Sequence, residues 1–219
     1  FGITASGTQS AGAGILVGTS AVNYESVYYG LKFSNLYTAI DFERAAYWVM
    51  DTCKIETCRF YYLVIRNLVN DDEGDSHIIG CLFENFEASP SADNVLIYWE
   101  SSGGLRISCS KFNGGFRAIW CNLGDGAQTL GPIITGCSIE GQTDASIFLS
   151  AIVPTDSLLA RTVITGNEIA PFTNGYGIHI AAASTAGWCL GTTITGNNIS
   201  TGLNGSGTTG RGIHLDYAA

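Results

Sequence analysis

Along this chain, apolar and polar positions alternate with period two in short runs, and each run is broken by glycine, asparagine or serine. Such alternation predicts half-buried strands; helical periodicity of useful length is absent. The runs also repeat. Ile133-Ile-Thr-Gly-Cys-Ser-Ile139, Val163-Ile-Thr-Gly-Asn-Glu-Ile169 and Thr193-Ile-Thr-Gly-Asn-Asn-Ile199 are copies of one phrase. Looser copies begin at Val27, Val49, His77 and Leu105. The closing apolar residues are Phe33, Ile55, Phe83, Phe112, Ile139, Ile169 and Ile199, at spacings of 22, 28, 29, 27, 30 and 30. A second strand follows each copy, centred on Ile40, Ile65, Ile97, Ile119, Ile147, Ile178 and Ile213; Gly177-Ile-His-Ile180 and Gly212-Ile-His-Leu215 match best.

A repeat in the high twenties, built of short strands and a Gly or Asn corner, predicts a solenoid of parallel strands. About eight turns fit the length, stacked over roughly 35–40 Å at ~4.8 Å per rung. The position two before each closing residue reads Leu31, Cys53, Cys81, Ser110, Cys137, Asn167 and Asn197. In the later turns Asn suits a left-handed corner and an amide ladder. A β-sandwich or a propeller would not repeat such a phrase.

Composition narrows the function classes. The 28 glycines, without a collagen triplet, serve turns. Net charge is −9, and the three lysines, Lys32, Lys54 and Lys111, are scattered. Nucleic acid is therefore not expected as a partner, because phosphate neutralisation needs clustered Lys and Arg. No apolar run is long enough for a membrane-spanning helix, so no membrane insertion is expected. The seven cysteines lack zinc-type spacing and are odd in number; they read as small buried hydrophobes with free thiols. No metal and no cofactor is expected. The chain opens at Phe1 without Met and closes at Ala219 inside a pattern, which reads as one β-helix domain over residues 1–219, a fragment of a longer chain.

The Thr-Gly-Asn-x-Ile corner followed by a Gly-Ile-His-Ile strand resembles the right-handed, single-stranded parallel β-helix of the pectate-lyase-like group. Within it, the aromatic-rich, cysteine-tolerant turns look like those of bacteriophage tailspikes. The resemblance covers the chain from about Ile15 onward. It implies an all-β fold, a homotrimer, location in the virion tail or outside the cell, and a bacterial capsule or O-antigen as target. The polygalacturonase active site is not carried over: Asp71-Asp72 falls in an apparent loop, Arg106-Ile-Ser replaces Arg-Ile-Lys, and Gly-His-Gly is missing. A run of calcium-binding carboxylates is missing too.

If each central Ile points inward, its neighbours point out. One outward column then reads Asp41, Arg66, Tyr98, Trp120, Phe148, His179, His214, and the next reads Glu43, Leu68, Glu100, Asn122, Ser150, Ala182, Asp216. Aromatic faces stack on sugar rings, and carboxylates, amides and Arg bind hydroxyl or acidic groups. Arg66, Tyr98, Trp120, Asn122 and His179 are the candidate sugar-binding residues. Glycoside hydrolysis needs two carboxyl groups, about 6.5–9.5 Å apart for inversion. Asp41 and Glu43 lie about 7 Å apart along one strand, and Glu43 and Glu100 about 9–10 Å apart across two rungs. The sharp reading makes Glu100 the general acid and Asp41 or Glu43 the base, with Arg66 holding one carboxylate ionised. The plainer reading is a solvated charge ladder, with Tyr98 and Trp120 facing a trimer neighbour. Two functional alternatives stand beside hydrolysis: a lyase on uronic-acid polymers, drawing on His179, Tyr98 and Arg66, and a non-catalytic receptor-binding or structural trimer. His179 and His214, with Asp216 nearby, read as spectators rather than a relay or a metal site. The acidic segment 70–75 reads as a solvated turn, and Phe83, Phe86 and Trp99 as core.

Overall fold

A computed structural model of the chain describes residues 2–4, 12–17, 23–43, 45–66, 76–87, 89–100, 104–122, 128–151, 158–172, 174–182, 188–200 and 210–217. These residues wind as a right-handed parallel β-helix. Three parallel sheets of eight, eight and seven strands run along it. The first sheet takes the closing half of each repeated phrase, from Gly2–Thr4 to Asn198–Ile199. The second takes the strands that follow, from Ala13–Val17 to Arg211–Tyr217. The third takes the opening halves, from Val27–Tyr29 to Thr193–Thr195. Each phrase is therefore two strands bent at a corner. A smaller sheet of Gln128–Leu130, Leu158–Ala160 and Trp188–Leu190, not anticipated in the sequence, joins the second sheet to the third in the later turns.

The expected interior file is present. Phe33 pairs with Ile55, Ile55 with Phe83, Phe83 with Phe112, and the file continues through Ile139 and Ile169 to Ile199. All but Ile199 are fully buried. The Phe83 and Phe112 rings lie parallel at 5.0 Å. Burial of each such side chain stabilises the stack by roughly 1.5–3 kcal/mol relative to exposure.

The corner column works as a ladder, with one correction. The left-handed residue is not the Asn but the residue before it: Gly136, Gly166 and Gly196 have φ of 63°, 66° and 63°. Thr52 and Cys109 take the same conformation in earlier turns. The next position caps the neighbouring turn. Asn167 Oδ1 accepts from the Cys137 backbone N–H at 2.9 Å, and Asn197 Oδ1 accepts from Asn167 N–H at 3.0 Å. Ser110 Oγ accepts from Cys81 N–H at 3.1 Å, and Cys81 Sγ from Cys53 N–H at 3.4 Å. Cys53, Cys58, Cys81, Cys121 and Cys137 are buried free thiols, whereas Cys109 is exposed and Cys189 half-buried.

The second sheet sets the functional face, and its pleat is irregular. Register pairs run Tyr61↔Val95↔Arg117 and then Leu63↔Ile97↔Ile119, passing over Tyr62, Leu96 and Ala118. Those three pack into the core beside their successors. Each strand thus turns two consecutive residues inward before alternation resumes. Gly177 and Gly212 occupy that skipped position in the last turns. A Cβ at Gly177 would meet the Gly212 carbonyl oxygen at 2.6 Å, so the glycine of the Gly-Ile-His phrase is a packing requirement.

Three expectations are overturned here. Leu63, not Ile65, stacks between Ile40 and Ile97. Val64 therefore joins the Asp41 column, and Arg66 moves beside Glu100. Ala181, not Ala182, pairs with Asp216. Phe86 is 64% exposed rather than core; Phe83 and Trp99 are buried. Leu68 and the acidic segment 70–75 lie outside the described residues.

Candidate functional site

The outer face of the first sheet is occupied by ion pairs: Glu56 with Lys32 and Lys54, Glu84 with Lys54, and Glu140 with Lys111, all at 2.8–3.0 Å. The outer face of the second sheet is different in kind. Parallel register stacks Tyr98, Trp120, Phe148, His179 and His214 one rung apart, Tyr61 reaches Tyr98 diagonally, and the rings form a ladder. Centroid distances are 4.9 Å for Tyr61–Tyr98, 5.0 Å for Tyr98–Trp120, 5.9 Å for Trp120–Phe148, 4.7 Å for Phe148–His179 and 5.0 Å for His179–His214. Arg117 lies over Trp120 at 4.4 Å and Phe148 at 4.2 Å, anchored by Asp144 at 2.5 Å. Cation–π contact and a charge-assisted hydrogen bond together lock that guanidinium over the rings.

Carboxyl groups gather at one end of the ladder. Arg66 Nη2 donates to Asp41 Oδ2 at 2.5 Å, a contact that runs diagonally between columns. Among the described residues, Asp41 Oδ1 and Arg66 Nε are buried with no hydrogen-bond partner. Burial pushes the Asp41 carboxyl above its ordinary value; the Arg66 charge and hydrogen bond oppose this, and Glu43 adds to it. At Asp41 desolvation is the larger of the two effects. Phe42 pairs with Ile65, so continuing the register sets Glu43 beside Arg66. One rung beyond Arg66, Tyr98 Oη donates to Glu100 Oε2 at 2.9 Å, and Asn122 Nδ2 donates to Tyr98 Oη at 2.9 Å. Burial raises the Tyr98 phenol well above its usual range. Trp120 Nε1 donates to Ser150 Oγ at 2.8 Å, and Ser150 Oγ donates to Asn122 Oδ1 at 2.9 Å.

Imidazoles gather at the other end. His179 and His214 are register partners on adjacent rungs. Asp216, two residues beyond His214 and so on the same side of the strand, receives both: His179 Nε2 lies 2.9 Å from its Oδ2 and His214 Nε2 2.8 Å from its Oδ1. The hydrogen bond from His179 and the proximity of both rings hold the Asp216 carboxyl below its usual range. Tyr176 stacks on His214 at 4.9 Å with an interplanar angle of 9°.

The fold therefore brings Asp41, Glu43 and Arg66 together, and joins Tyr98, Glu100 and Asn122 in one network with Trp120 beside it. His179 is separated from Trp120 and Asn122 by the Phe148 rung. The column of Tyr61, Arg117, Tyr176 and Arg211 was not nominated as a unit from sequence. Its signal was available: each of Arg117, Tyr176 and Arg211 stands three residues before a ladder member, at Trp120, His179 and His214.

The fold and this face define the class: a right-handed parallel β-helix with an aromatic, carboxyl-bearing outward sheet. No protein-family model and no curated protein matches the chain.

Proposed function

We propose that the chain is the body of a tailspike-like protein that binds and hydrolyses a bacterial surface polysaccharide, with the outward face of the second sheet as the sugar track. The observation that carries this reading is the ring ladder from Tyr61 to His179 with carboxyl groups at its head. The half-buried rings of Tyr61, Trp120 and His179 offer stacking surfaces at intervals along the track, and Glu100 and Asn122 offer polar atoms to sugar hydroxyls. Asp41, whose carboxyl burial pushes above its ordinary value, is assigned as the proton donor to the leaving oxygen in place of Glu100. Glu43, about 7 Å away along the strand, is the base for water, a separation that belongs to inversion. Glu100, held by Tyr98, then orients the sugar.

The lyase alternative is less well supported. Its base would be Tyr98 or His179, yet burial raises the Tyr98 phenol, which weakens it as a source of phenolate. The non-catalytic trimer is favoured by one observation: Tyr98 is only 9% and Phe148 only 6% exposed, so neighbouring side chains already cover much of the ladder.

The test is incubation of the protein with capsule and O-antigen polysaccharides, reading reducing ends, chain length and the ultraviolet absorbance of a conjugated double bond. New reducing ends without that absorbance are expected. Absorbance with cleavage marks a lyase, and binding without shortening marks the passive trimer. Sedimentation of the same sample reads the trimer.

A further inference from the structure

We infer that His179, His214 and Asp216 form a binding site for a borderline divalent transition metal such as Zn2+, Co2+ or Ni2+. The site lies at the opposite end of the ladder from Asp41 and shares only His179 with the proposed sugar track, so metal uptake measured without sugar tests it separately. Three donor atoms, one from each side chain, lie within 4.8 Å of one another. The two closest nitrogen–oxygen separations are 2.9 and 2.8 Å. Ligand bonds of about 2.0–2.2 Å place adjacent donors about 3 Å apart; each imidazole already stands at that distance from one Asp216 oxygen, and rotation of the exposed carboxylate brings a single oxygen between the two rings. Two imidazoles and one carboxylate select a borderline metal over Ca2+ or Mg2+, which want oxygen alone.

The rings are preorganised. His179 packs against Phe148 and Tyr176 at 4.7 Å each, and His214 stacks on Tyr176. The His179 Nδ1 is buried with no partner among the described residues, and the hydrogen bonding of that ring is directed through Nε2 toward Asp216. Asp216 is 56% exposed at its side chain, which leaves an entry path and open coordination positions for water. Without metal, the carboxylate acts as a hub that accepts from both imidazoles. Metal binding replaces those two contacts, each imidazole then carrying its proton on Nδ1.

One group opposes the ion. Arg211 Nη1 sits 2.9 Å from His214 Nδ1 and 3.2 Å from its Nε2. Its charge must swing away, which makes the arginine a built-in competitor. The proposal thereby acquires a signature that scattered surface histidines would lack: removing Arg211 should tighten binding.

The experiment is equilibrium dialysis of the whole chain with Zn2+, with Co2+ absorption as a report on ligand type. One ion per chain is expected, with a visible cobalt band. His214→Ala and Asp216→Asn should each weaken binding at least about tenfold. Arg211→Gln should strengthen it, and His77→Ala should leave it unchanged. Thermal unfolding of each variant checks that the fold persists. A wild type that takes up no Zn2+, a His214→Ala variant that binds as the wild type does, or loss of binding on His77→Ala would overturn the site.

Discussion

Asp41 and Asp216 sit near opposite ends of one outward sheet and are pushed in opposite directions. Asp41 is 9% exposed, and burial raises its carboxyl even though Arg66 is bonded to it. Asp216 stands in solvent, where two imidazoles lower it. The lesson is that an ion pair does not by itself set protonation. Desolvation wins where neighbouring turns cover the group, and hydrogen bonding wins where water remains. The same fold thus raises one carboxyl and lowers another on a single sheet.

The largest test of this contrast is catalytic. Asp41→Asn and Glu43→Gln should each lower polysaccharide cleavage by at least about a hundredfold, as loss of a general acid or base does. Asp216→Asn should leave cleavage unchanged, and Glu100→Gln should raise KM more than it lowers kcat. Reducing-end assays on purified variants read all four; full turnover in Asp41→Asn would sink the acid assignment.

A smaller effect is expected between the two ends. Trp120 bridges them through its ring contacts with Tyr98 and Phe148. Trp120→Ala should weaken oligosaccharide binding roughly three- to tenfold, about the worth of one aromatic pair. Calorimetric titration with a fixed oligosaccharide reads it, and unchanged affinity would remove Trp120 from the track.

Arg66→Ala sharpens the Asp41 side alone. It deletes the charge that opposes desolvation, so the Asp41 carboxyl should rise further. The limb of the pH–rate profile that reports the proton donor should then shift to higher pH. A shift to lower pH would mean that Arg66 is not the partner that matters.

The smallest effect is a mirror in stability. Asp41 has a folded pKa above its unfolded one, so its contribution is present in acid and lost as pH rises through the folded value. Asp41→Asn should therefore raise the Tm at neutral pH, with the gain fading in acid. Asp216 has a lowered pKa, so its contribution is present above the unfolded value and lost as pH falls through the folded one. Asp216→Asn should lower the Tm slightly at neutral pH and match the wild type in acid. Melting curves across pH decide the sign of each.

The winding of the chain was legible because burial repeats. Phe33, Ile55, Phe83 and their successors must each lie beneath the next turn, and that demand writes a period into the residues themselves. The corner was legible only in part. The Thr-Gly-Asn phrase marks it in late turns, whereas Cys81 and Ser110 do the same bonding with no shared chemistry to betray it. The chain alone therefore determined the parallel β-helix, its interior file and the outward column from Tyr98 to His214. Only the tertiary structure decided the phase of Tyr61–Arg66, because Tyr61, Tyr62, Leu63, Val64 and Ile65 are apolar on both sides of the strand and carry no alternation. There the choice fell to Leu63, gripped between Ile40 and Ile97 of the neighbouring turns. It decided the state of Asp41 for the same reason: the groups that desolvate a carboxyl belong to other turns, far along the chain, and their closeness exists only once the turns are stacked.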